Sequence, residues 1–348
     1  MVRLPPTSGE TAIVNPVLAE VWRGNLAESL HHGAAAVVDA AGRIVASWGD
    51  VERRPIFGRS AIKPLQALPL IETGTAERYG LGDRELALAC ASHQGEPVHV
   101  EAVGRWLDRI GLGESDLECG RHLPYSTAAA HALIRAGREP CALHNNCSGK
   151  HAGFLATARH LGEPTRRYIG SDHPVQQRIA RTLEEMTGLD LSRAPRGIDG
   201  CGIPVIGMPL AATARAMARL VDPKGLPAGR GAAGRQLVDA MAAEPVMVDG
   251  NEGSATAIMR AAGDRVRLKP GAEGMLCAVL PTLGYGVAIK IDDGSARARD
   301  VVLGAILDRF GVLSDAQRTA LDRYFRPVIR NVAEREAGSI RPAAELVH

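Results

Sequence analysis

The chain has 348 residues, 45% of them hydrophobic, and a formal net charge of +2. That length suits one large or two moderate domains with a packed core. The near-neutral balance argues against nucleic acid or an anionic membrane as partner, and four Phe, five Tyr and three Trp supply little base-stacking surface. No apolar run reaches the ~18 residues of a membrane span.

Residues 1–16, MVRLPPTSGETAIVNP, contain no apolar core of a secretory signal, so a cytoplasmic location and reduced thiols are expected for the six cysteines. The first 50 residues read as strands: PVLAEVWRG, GAAAVVDA and RIVASWGD, the last two forming a hairpin about the Asp39-Ala-Ala-Gly42 turn. Then AIKPLQALPLIETG shows helical spacing, with Ser60 at or near its N-cap, Pro64 tolerated in the first turn and Gly74 as terminator. Residues 75 to about 245 are mostly helical, interrupted by a glycine-rich loop at 222–234, and a helix stops before Pro245. RVRLKPGAEGMLCAVLP and GYGVAIKIDDG return to strands, and ARDVVLGAILDRFG and SDAQRTALDRYF read as helices. An α+β fold is therefore expected as one catalytic chain. Both chain ends, about 1–58 and 255–348, would build an antiparallel sheet lobe, with a helical lobe over about 59–254. A catalytic site belongs at the seam of the two.

Only five lysines stand among 36 arginines. Arginine cannot normally lose its proton, whereas a buried lysine can be tuned toward neutrality. Three lysines occupy unusual contexts: Ser60-Ala-Ile-Lys63, Cys147-Ser-Gly-Lys150 and Lys269-Pro-Gly. On a helix, Ser60 and Lys63 share one face and come within hydrogen-bond reach, the pattern of a serine activated by a neutral lysine. Free N–H groups at the helix start suit an oxyanion. Lys269, at a strand end before glycine, matches the second lysine of Ser-x-x-Lys hydrolases. Ser92, in CASHQGE, fits the second serine of such sites; a loop or N-cap serine is the plainer alternative. His93 is its neighbour but diverges from it.

Cys147 and Cys201 lie in glycine-bracketed segments and suit zinc, with His144, Lys150 and His151 as further candidate ligands; a lysine ligand must be neutral. Spacing alone leaves the metal open, as it leaves a Cys147–His151 nucleophile pair open. Cys90, Cys277, Met241 and Met247 read as core. His31, His32, Arg166 and Arg167 read as surface.

The segments GRSAIKPLQALPLIETG, LALACASHQGEPVHV, HNNCSGKHAGFL, GIDGCGIP and LKPGAEG, spanning residue 58 to about 275, resemble the class 3 L-asparaginases of the Rhizobium etli type. The resemblance implies a serine β-lactamase/glutaminase-like fold, a homodimer and hydrolysis of L-asparagine to L-aspartate and ammonia. It implies Ser60 as nucleophile with Lys63 as its base and Ser92–Lys269 as a second pair. It also implies Arg59 and Asp199 as substrate-binding residues and Zn2+ on Cys147, Lys150 and Cys201. Many of the proteins it resembles carry a cysteine where Ala255 stands here. Alternatives are a glutaminase or other serine amidohydrolase, a β-lactamase-like hydrolase, or a non-catalytic zinc-binding protein on the same fold.

Overall fold

A computed structural model describes residues 14–347. Residues 1–13, most of the segment read above for a secretion signal, lie outside it. The strands are β1 (Val17–Arg23), β2 (Leu26–Asp39), β3 (Ile44–Trp48), β4 (Pro55–Phe57), β5 (Arg196–Ile198), β6 (Pro204–Pro209), β7 (Arg267–Pro270), β8 (Met275–Leu280), β9 (Tyr285–Ile291), β10 (Val328–Arg330) and β11 (Glu336–Pro342). The main sheet runs β10-β11-β1-β2-β9-β8-β7, with β3 also paired to β2. Every pairing in it is antiparallel. This is the α+β architecture expected, a sheet drawn from both chain ends with helices between.

Residues 34–38 of β2 and all of β8 are buried, without the alternation of a half-exposed strand. Such runs require cover on both faces. The helices Leu210–Ala218 and Ala296–Arg309 both pack against the sheet. The first lies so close that a Cβ on Gly286 of β9 would stand 1.9 Å from the Ala214 carbonyl oxygen. The Asp39–Gly42 turn forms as expected, with the Gly42 N–H donating to the Asp39 carbonyl at 3.0 Å.

Several expectations change. The helix expected after Ser60 is split into a 3-10 turn, Arg59–Ile62, and two short helices, Lys63–Gln66 and Leu68–Glu72. Pro64 and Pro69 each sit in a first turn, where a missing N–H costs nothing, so each proline marks a restart. The loop expected at 222–234 is partly helix, since Ala228–Ala243 forms one unit. The pair β10–β11 and the separate three-stranded sheet β4-β6-β5 had no sequence signal. His31 is not at the surface: it lies within β2, 3% exposed, with Nδ1 2.6 Å from an Asp293 carboxylate oxygen.

Candidate active site

Five chain segments converge where the helical region meets β7 and the small sheet. The 3-10 turn carrying Ser60 follows β4. Arg59, just before the serine, holds a left-handed φ of 47°, a strained conformation for a residue with a Cβ. The turn after β7 presses against it. A Cβ on Gly271 would stand 2.9 Å from the Ala61 nitrogen, so glycine is what lets the Lys269-Pro-Gly segment approach the Ser60 turn. Ser92 lies in the loop after the helix Asp83–Ala89 and is anchored by its N–H, which donates to the Val248 carbonyl at 3.0 Å. Cys147 precedes the helix Ser148–His160, and Lys150 is in its first turn. Gly149 allows that helix to lie on Leu88, whose carbonyl oxygen would be 2.5 Å from an added Cβ. Asp199 and Cys201 occupy the tight turn between β5 and β6, closed by the Gly202 N–H donating to the Asp199 carbonyl at 2.8 Å.

Lys63 and Lys269 are fully buried, and Lys150 is 2% exposed. The Lys63 amine donates to Ser92 Oγ at 3.0 Å, to Cys147 Sγ at 3.2 Å and to the Ala91 carbonyl. The Lys269 amine donates to the same Ser92 Oγ at 2.8 Å and to the Pro270 carbonyl at 2.6 Å. The hydrogen bonds of Lys63 thus run to Ser92 and not to Ser60. Both serines are half-buried.

Burial drives the Lys63 amine below its ordinary pKa, with the Lys150 cation acting the same way and the Cys147 thiolate opposing. Burial and the neighbouring Lys63 bring Lys269 down to about 7. A neutral amine, the form a general base requires, is therefore accessible here. Arg59 Nε donates to Asp199 Oδ1 at 2.9 Å. Burial would raise the Asp199 carboxyl, but Lys150 and Arg59 hold it below the usual range.

The Lys150 amine donates to Cys201 Sγ at 3.0 Å. A hydrogen bond from Cys201 holds the Cys147 thiol well below its ordinary pKa, against burial and with Lys63 assisting. Burial opposes the charge on Lys150, but the two sulfurs outweigh it and raise its pKa. Two sulfurs and one amine therefore meet at one buried point. Among the described residues no group of three or more His, Cys, Asp or Glu side chains is placed for a metal, so the amine is the third donor available there. His151 is directed elsewhere, with Nδ1 2.8 Å from the Tyr168 hydroxyl. Cys147 is hydrogen-bonded to Lys63 and Cys201, so no Cys147–His151 pair forms. His144 turns to Cys141, with Nδ1 3.2 Å from its Sγ. His93 pairs with Ser148 at 2.8 Å, away from Ser92 Oγ. Cys90, Cys277, Met241 and Met247 are core, and all six cysteines are free. Asp249, 8% exposed beside the Ser92 anchor, is the charged group that sequence reading missed, since VMVDG carries no motif.

The comparisons with known proteins place the chain among the amidohydrolases. A family model described as L-asparaginase II matches residues 19–342, and the chain belongs to that family. No curated protein sequence matches it. Among solved structures, a β-lactamase from Mycobacterium bovis is 16% identical, covering 84% of this chain and 94% of its own at a TM-score of 0.39. The unliganded simvastatin synthase of Aspergillus terreus is 12% identical, covering 77% and 90% at 0.40. A structure titled Mglu is 17% identical, covering 86% and 72% at 0.37. Likenesses this loose carry no weight for the site.

Proposed function

We propose that this amidohydrolase converts L-asparagine to L-aspartate and ammonia by serine–lysine nucleophilic catalysis. The observation that carries the reading is the pair of buried amines, Lys63 and Lys269, donating to one hydroxyl, Ser92 Oγ, beside the strained turn that presents Ser60.

Ser60 Oγ attacks the side-chain amide carbon of asparagine, forming a C–O bond. Its proton passes to neutral Lys63, and backbone N–H groups of the 3-10 turn face the oxyanion. The chain Lys63–Ser92–Lys269 carries the proton to the amide nitrogen as the C–N bond breaks, releasing ammonia. Water then attacks the β-aspartyl ester, giving up its proton through the same chain. Aspartate leaves and Ser60 recovers its hydrogen. Arg59, held by Asp199, offers a guanidinium fork for the substrate carboxylate.

Cys147, Lys150 and Cys201 would hold a soft divalent ion, because two thiols and an amine, all buried, converge there, and the Lys150 proton that the sulfurs favour without metal would leave on binding. We assign them zinc, which would supply a fixed positive charge and Lewis acidity next to Lys63. A homodimer in the cytoplasm completes the proposal.

A second reading, Ser92 as nucleophile, is favoured by one specific observation: its Oγ, and not that of Ser60, holds both amines. The test is ammonia release from L-asparagine and L-glutamine by the parent, Ser60→Ala and Ser92→Ala, with mass-spectrometric mapping of the trapped acyl ester. An ester on Ser60, and no turnover by Ser60→Ala, supports the first reading. An ester on Ser92 selects the second. No release from asparagine by the parent refutes the substrate assignment.

A further inference from the structure

The loop that carries Ser92 alternates in burial. Ala91, His93 and Gly95 are buried, while Ser92 and Gln94 are half-buried. His93 takes the inner side, its Nε2 2.8 Å from Ser148 Oγ. A period of two places Ser92 and Gln94 together on the open side. Ser92 Oγ meets the Lys63 and Lys269 amines there, so Gln94 opens toward the same cleft.

Gln94 is held in place by its surroundings. Its carbonyl accepts the Ser126 N–H at 3.0 Å, and the His93 N–H before it donates to the Asn146 carbonyl at 3.1 Å. Its stem lies on Gly250, where an added Cβ would stand 2.3 Å from Gln94 Cγ and 2.8 Å from Gln94 Cβ. Val248, two residues before that glycine, accepts the Ser92 N–H at 3.0 Å, so one turn sets both side chains. Among the described residues the Gln94 carbonyl is the group that hydrogen-bonds, and its side-chain amide is left without a partner. The carboxylates around it are committed. Glu96 accepts the Asn251 N–H at 3.0 Å, Asp249 Oδ2 accepts the Ala255 N–H at 3.0 Å, and Asp199 Oδ1 accepts Arg59 Nε at 2.9 Å. Gln94 therefore offers a free acceptor beside Ser92.

L-Asparagine presents an amide, a carboxylate and an ammonium. The reaction at Ser60 takes the amide and Arg59 takes the carboxylate, which leaves the α-ammonium. We propose that Gln94 is a substrate-binding residue whose amide oxygen accepts the α-ammonium and so selects α-amino acids over plain carboxamides. This rests on the asparagine reading above and adds a residue that sets its specificity. Residues two apart in an extended segment are separated by about 7 Å, so Gln94 can reach the α-carbon end while Ser92 serves the leaving nitrogen. A neutral amide suits the place, because a carboxylate there would favour the charged form of the amines that must take a proton.

Gln94→Met keeps the stem on Gly250 and removes the amide. Calorimetry on the full-length protein compares L-aspartate with succinate, which lacks only the ammonium. The parent should bind L-aspartate more tightly than succinate. Gln94→Met should weaken L-aspartate about tenfold or more and leave succinate unchanged. KM for L-asparagine should rise by a similar factor with little change in kcat. Equal weakening of both ligands, or of neither, overturns the proposal and leaves Gln94 a packing residue. A parent that does not favour L-aspartate over succinate overturns it too. Should Gln94→Met not fold, Gln94→Glu decides: it keeps the length, so L-aspartate binding holds while succinate weakens by repulsion, and parallel losses refute the assignment. If the parent releases no ammonia from L-asparagine yet Gln94→Met loses L-aspartate selectively, the hydrolytic reading fails and the ammonium site stands. Ammonia release by the parent with unchanged L-aspartate binding in Gln94→Met has the reverse meaning.

Discussion

Gly149 offers a test of how the site is held together. A Cβ at this position would meet the Leu88 carbonyl oxygen at 2.5 Å, its carbon at 2.9 Å and its Cβ at 3.0 Å. All three atoms belong to the helix that leads to Ser92, and two of them are backbone, so no side-chain rotation relieves the contact. Gly149→Ala must push the helices Ser148–His160 and Asp83–Ala89 apart by roughly 1 Å to reach ordinary contact, at an overpacking cost of about 1–3 kcal/mol. Part of that is offset by the ~0.5–1 kcal/mol that alanine gains over glycine inside a helix. The shift also separates Cys147 and Lys150 from Ser92, and misplacement on that scale lowers rate by about 10²-fold. Gly153, one turn further along, is the internal control. Its added Cβ would find its nearest neighbour, Trp106, at 3.6 Å, which is ordinary packing. Gly153→Ala should therefore be neutral to stabilising by about 0.5–1 kcal/mol, with activity unchanged. Urea unfolding and ammonia release on both variants decide the matter. Equal stability and activity for Gly149→Ala and Gly153→Ala would refute the claim that close approach at Gly149 sets the site.

The remaining expectations concern charge and metal. Lys269, depressed to about 7 by burial and by Lys63, is neutral only above that pH, so kcat/KM should rise through about 7 and Lys269→Arg should abolish activity over the whole range. Stability follows the same sign. An unfolded lysine keeps its proton to ~10.4, so between about 7 and 10 the unfolded state binds the extra proton, and unfolding free energy measured against Lys269→Met should grow with pH across that window. The purified parent should carry zinc in a fixed ratio to chain by elemental analysis, and Cys201→Ala should lose it; equal zinc in both would remove Cys201 from the ligand set. Arg59→Lys cannot reproduce a two-pronged contact, so it should raise KM for asparagine about tenfold with a smaller change in kcat, as steady-state kinetics will read.

Much of this was legible because it is local. Lysine scarcity singled out Lys63, Lys150 and Lys269, and all three are buried at one seam. Apolar runs identified β1, β3, β8 and β9. What escaped was set by partners distant in sequence. The first half of β2, Leu26 to His32, is half-exposed and rich in polar residues, and it is a strand because β1 pairs with it from Val17↔His32 to Arg23↔Leu26. β11 is mostly half-buried and polar, and it holds its place by pairing with β1, a contact spanning nearly the whole chain. The Ser60–Lys63 spacing suggested a hydrogen bond between the two, and the Lys63 amine bonds Ser92 instead. Lys63 reaches Ser92 across 28 intervening residues, and no motif records a partner that distant. Asp249 was invisible for the same reason.

The cluster can be understood as a shortage of protons. Before any metal is bound, Arg59 is matched by Asp199, and Lys150 by the Cys147 thiolate that Cys201 stabilises. That leaves two amines, Lys63 and Lys269, facing one remaining carboxylate, Asp249, which burial itself resists charging. A buried group without a counter-charge gives up its charge rather than bear the desolvation cost. One anion can support one ammonium, so at least one of the two amines on Ser92 Oγ is left neutral. An amine that is neutral near pH 7 and already hydrogen-bonded to a hydroxyl can accept a proton without first losing one. Arginine in either place would remain charged and end that capacity, and this is the physical reason these positions hold lysine in a chain that otherwise builds its cations from arginine.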